Sequence, residues 1–201
     1  MYYIRKVEKE KWDGKILHDS VSISDLSTND NDISVWMDDD TKDRYKHLLL
    51  AFVLTTGKIR DLYYVRIPDV DVSKKGLGFN LVPSTTPYIN MRSLHTNIVI
   101  PTLYELGDLA EIIYDITSVG NQQYIAEQDL KELFYDAVKN DLIEIDFNNK
   151  KYQGFRKPLR EIEKQKGNID FSKLKNCKEI VPSNTEKCPT CKGTGRVKKK
   201  T

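Results

Sequence analysis

The chain has 201 residues, 39% of them apolar and 31% charged, enough for one ordinary domain with its own core and a short appendage. No stretch approaches the roughly 20 apolar residues of a membrane-spanning helix. Behind Met1-Tyr2-Tyr3-Ile4-Arg5-Lys6 no apolar run follows the charges as in a secretory leader, so no membrane partner and a cytoplasmic address are expected. The net charge of +2 conceals an asymmetry: residues 1–149 hold 16 Lys+Arg against 25 Asp+Glu, net −9, and residues 150–201 hold 16 against 5, net +11.

In chain order, Met1 to Val7 reads as a first strand. The Ser-, Asp- and Asn-rich residues 18–32 read as loop, and Ile33-Ser34-Val35-Trp36-Met37 alternates as a short strand. The acid run Asp38-Asp39-Asp40, with Asp43 close behind and Asp30 and Asp32 before it, lacks the spacing of a calcium loop. It suits the start of a helix, where negative charge is favourable. That helix carries Tyr45, Leu48, Leu49, Phe52 and Val53 at the spacing of one buried face, and Gly57 supplies its stop. Ile59 to Ile67 reads as a strand with Ile59, Tyr63, Val65 and Ile67 on one face; Arg60, Leu62, Tyr64 and Arg66 make the other face mixed.

Residues 69–101 are punctuated by Gly76, Gly78, Pro83, Pro87 and Pro101, and Phe79 to Val82 and Asn97 to Ile100 are its candidate strands. A loop of this length is uncommon and marks function or hidden structure. It holds the polar set Arg92, His95, Thr96 and Asn97. There His95 is a candidate general acid or base and Arg92 an anion holder, the basis of a reading as a small nuclease or transferase-like enzyme. A second helix is expected over Leu103 to Thr117, with Leu106, Leu109, Ile113 and Ile116 inward, and a third over Ile125 to Asn140. Leu142 to Phe147 reads as a strand that Asn148-Asn149 turns into a hairpin. This helix-then-hairpin order also occurs in winged-helix domains. Pro158 to Gly167 reads as a short charged helix. The whole is an α/β or α+β fold, a small mixed sheet with about three helices, divided into an acidic body, residues 1–156, and a loosely ordered basic tail, residues 157–201.

The basic segment carries Lys150, Lys151, Arg156, Lys157 and Arg160, then Lys198, Lys199 and Lys200, with Tyr152 and Phe155 interleaved. Such residues suit the nucleic-acid backbone, and the aromatics suit stacking on unpaired bases. Within it, Cys188-Pro189-Thr190-Cys191 has the two-residue spacing that lets both thiolates bind one zinc ion, Zn2+. Cys188 to Gly195 resembles one CxxCxGxG repeat of the DnaJ-type cysteine-rich domain. One copy implies a zinc knuckle rather than a chaperone. A structural zinc takes four ligands, so Cys177 or a second chain must contribute; the second arrangement resembles the zinc link of the RNase E/G family and implies a homodimer. The function expected is a non-enzymatic accessory protein with a protein partner and a nucleic-acid-contacting tail. Its size suits a bacterial multi-protein system of the defence or toxin type.

Overall fold

The computed structural model describes residues 1–14, 20–26 and 31–166. Among them, six strands form one sheet: β1 (Tyr2–Lys6), β2 (Asp32–Asp38), β3 (Leu62–Pro68), β4 (Gly78–Asn80), β5 (His95–Val99) and β6 (Gln123–Ile125). Their order is β4-β5-β2-β1-β3-β6, and every neighbouring pair is antiparallel. The expected mixed sheet is thus replaced by a wholly antiparallel one. Among the described residues, seven α-helices replace the expected three: α1 (Lys9–Trp12), α2 (Ser20–Ser24), α3 (Lys42–Thr55), α4 (Asp69–Lys74), α5 (Leu103–Ser118), α6 (Glu127–Lys139) and α7 (Arg156–Lys166). α1, α2 and α4 span too few residues to display a 3.6-residue period.

Both faces of the central strands are buried, which explains strands with no clean polar side. One core contains Ile4, Trp36, Leu62 and Tyr64 of the sheet with Leu48 and Phe52 of α3, Leu130 and Phe134 of α6, and Leu159 and Ile162 of α7. The other contains Tyr3, Ile33, Val35, Val65 and Ile67 with Leu109 and Ile113 of α5. Ile59 lies in the first core, apart from Val65 and Ile67, because pairing in β3 starts only at Leu62.

Helix boundaries follow their chemistry. Thr102 and Glu105 form a capping box on α5. The α6 start is capped from far away in sequence, by Asp61 accepting from the Glu127 N–H at 2.7 Å. Gly57, at φ +74°, ends α3, and a Cβ there would overlap the carbonyl oxygen of Lys151. The segment 69–101 is largely structured: α4, β4, a 3-10 turn (Ile89–Leu94) and β5.

Among the described residues, Leu142 to Phe147 makes single bridges at Ile143 and Asp146 rather than a ladder, and it forms no hairpin with the residues after Asn149. Ile143, Ile145 and Phe147 are buried in alternation, so the chain is extended there. Its ties include an isolated bridge from Ile143 to Tyr88 and the Glu144 N–H on the Pro87 carbonyl at 3.0 Å. Asn149 then caps a 3-10 turn (Lys150–Phe155), its side chain accepting from the Lys151 N–H. The winged-helix order therefore lapses. The boundary expected after residue 156 falls in the first turn of α7, whose Leu159 and Ile162 belong to the first core.

Candidate nucleic-acid interface

The 3-10 turn and α7 divide their residues by face. Phe155, Leu159 and Ile162 recur at helical spacing and enter the core, which leaves Arg156, Lys157, Arg160, Glu161 and Lys164 on the outer side. With Gln153 and Gly154 these residues line an open groove of about 650 Å³. Lys157 is 85% exposed, and Lys164 is exposed. Arg156 and Arg160 sit lower, half-buried, with Arg156 donating from Nη2 to the Phe147 carbonyl at 2.9 Å and standing over the Phe147 ring. Burial, and then the neighbouring Arg160 charge, hold Arg156 below the usual arginine value. Two guanidiniums one helical turn apart disfavour each other; a phosphate between them removes that repulsion. Glu161, the acid of the groove, is tied to Lys131 at 3.2 Å and Lys157 at 3.8 Å.

Lys150 and Lys151 are exposed at the head of the same segment, with the Lys151 ammonium 5.7 Å from the Tyr152 ring centre. The structure sets Arg156, Lys157 and Arg160 on one groove, whereas Lys150 and Lys151 lie outside its lining, at the head of the same segment. Phe155 is fully buried and is not available to bases. The Tyr152 ring stacks on Phe155, and its hydroxyl donates to the Thr85 carbonyl. Cys177, Cys188 and Cys191, together with Lys198, Lys199 and Lys200, lie outside the described residues.

The members of the second candidate set each have their own hydrogen-bond partners. Arg92 donates from Nε to the Thr86 carbonyl at 2.8 Å. His95 opens β5, with Nε2 2.6 Å from Ser34 Oγ, Nδ1 2.5 Å from the Val82 carbonyl, and its ring edge-on to Trp36. If Nδ1 carries the proton toward that carbonyl, Nε2 accepts from the serine hydroxyl. The ring therefore ties β2, β5 and the chain beyond β4 together.

No family model, no curated protein and no solved structure matches this chain. Among the described residues, no group of three or more His, Cys, Asp or Glu side chains forms a metal cluster, and no helix is long and apolar enough to cross a membrane.

One polar cluster was not legible as such in the sequence. Asp38, 2% exposed, accepts from Arg66 Nε at 3.1 Å and Nη2 at 2.6 Å, and Asp40 accepts from Nη2 at 2.6 Å. The Tyr2 and Tyr45 rings flank the same guanidinium at 4.2 and 5.0 Å. Part of the acid run that suggests a helix start is therefore spent on one arginine of β3. The polar residue inside an otherwise apolar strand was the signal: a charged group facing a core needs a partner.

Proposed function

We propose that this protein is a non-enzymatic accessory module that holds the phosphate backbone of nucleic acid along the 3-10 turn and α7, and docks its acidic body on a protein partner. The observation that carries the reading is the concave arrangement of Arg156, Lys157, Arg160 and Lys164 around one groove. Its extension is the net +11 of residues 150–201. Binding by such a surface is driven by counterion release and is insensitive to base sequence. Zinc held by Cys188 and Cys191, with Cys177 or a second chain completing the site, belongs to the same proposal and rests on ligand spacing.

The test is fluorescence anisotropy with labelled single-stranded and double-stranded oligonucleotides over a salt series. The wild-type log-log slope should fall by about 0.7 to 0.9 for each phosphate contact removed. Lys157→Glu combined with Lys164→Glu should weaken binding by about tenfold or more and flatten that slope, for unrelated base sequences alike. Equal affinities and slopes for the wild type and the double variant would remove the groove from the function.

A further inference from the structure

Edge strands expose unpaired backbone groups, and proteins commonly guard them with charge, proline or a covering segment. The two edges of this sheet differ. β6 is flanked by Asp61, which caps α6, and by Glu127. Among the described residues, β4 has no such guard, and all three of its residues are exposed. From Gly76 through Met91 there is no Asp, Glu, Lys or Arg, in a chain that is 31% charged. Within that run Phe79, Leu81 and Val82 are exposed, Leu81 at 71%.

The backbone of this edge has a defined orientation. The Asn80 carbonyl accepts from Thr96 Oγ1 at 3.0 Å, and the Val82 carbonyl meets His95 Nδ1. Both turn toward β5. Alternation along an extended chain then turns the N–H and C=O of Phe79 and Leu81 away from β5, onto the open edge. The His95 contact keeps the chain in line as far as Val82, two residues beyond the end of β4.

We infer that this edge pairs with the same edge of a second copy, antiparallel about a two-fold axis at Asn80, joining two six-stranded sheets into one. In that register Phe79 stands opposite the partner subunit's Leu81, and the two exchange both backbone hydrogen bonds. Their side chains leave the sheet on one face, the face on which Phe79 stacks on Tyr3 at 4.4 Å, and cover each other. The occupant is chosen by charge. A two-fold interface places a patch against itself, so any charge within it meets its like. The rest of residues 1–149 carries the net −9 that repels a second copy, and this run carries none of it. An uncharged edge also gives nucleic acid no attraction. β4 and the α7 groove share no residue, so this inference and the nucleic-acid reading fail separately.

Sedimentation velocity on the full chain, in chelator and over a concentration series, tests it. The wild type should approach twice the chain mass. Leu81→Lys and Leu81→Glu should each weaken association by about tenfold or more, since like charges then lie across the axis. Unchanged melting of both variants at concentrations where the wild type is monomeric keeps folding out of the comparison. An equimolar mixture of the two should re-associate. A wild type that stays monomeric overturns the inference, whether the edge is empty or covered by its own chain. So does a dimer that both variants leave intact, including one that chelator alone dissolves, which would place the junction at the cysteines.

Discussion

Tyr88 is 2% exposed, and its hydroxyl lies 2.8 Å from His47 Nδ1. Burial pushes Tyr88 up to about 12. Tyr45 is raised further, first by burial and then by the Tyr64 hydroxyl at 2.5 Å; Tyr64 is raised by burial as well. The unfolded chain releases these protons near pH ~10, whereas the folded chain keeps them to higher pH. Stability from this source is therefore complete below about pH 10 and is lost as pH rises through the folded values. An alkaline titration followed by phenolate absorbance and near-ultraviolet circular dichroism should show Tyr45, Tyr64 and Tyr88 ionising only as tertiary structure disappears, above pH ~11. Reversible ionisation of all 11 tyrosines near pH ~10 with the dichroism intact would contradict this placement. At this scale the sequence was uneven as a guide. His95 stands out in the sequence as a candidate general acid or base, but its partners Ser34 and Val82 are 61 and 13 positions away, and pairing at such separation is set by the sheet register.

Elements with a long apolar period were the most legible. α3 and α5 appear close to where Tyr45 to Val53 and Leu106 to Ile116 place them, because a stripe of that length has one structural solution. Alternation was a weaker guide. In Leu142 to Phe147 it marks which side chains are buried, yet among the described residues the segment makes single bridges rather than a ladder, since periodicity encodes burial and not hydrogen-bond partners. α7 was legible as a helix and misleading as a boundary. Its high charge suggests an appendage, but Leu159 and Ile162 are 0% and 1% exposed, and even Glu163 is buried. Leu159→Ala should therefore lower the stability of the whole fold by about 3 kcal/mol through lost burial and the cavity left behind. The shift in urea midpoint at constant m-value reads this, with exposed Lys164→Ala as a neutral control. If the leucine variant unfolds at the wild-type midpoint, α7 does not belong to the body.

The candidate site became legible only at the level of the molecule. The excess of Lys and Arg after residue 149 is plain in the sequence. That Arg156, Arg160 and Lys164 share the outer side of α7 depends on which side Phe155 and Leu159 bury, and hence on the first core. The two cores lie on opposite faces of one sheet, so neither can be lost without exposing the apolar strand residues that the other leaves on its own side. The chain should therefore unfold in one transition. Leu130 in the first core and Ile113 in the second are both fully buried. Leu130→Ala and Ile113→Ala should each lower the same transition by about 2 to 4 kcal/mol. Because the sheet separates them, the double variant should equal the sum of the single effects to within ~0.5 kcal/mol. Calorimetric and van't Hoff enthalpies that agree in all four proteins would show that the sheet couples its faces. If Ile113→Ala instead splits the melt in two, with the Leu130 side surviving to higher temperature, the first core and the groove built on it form a unit that holds without α5.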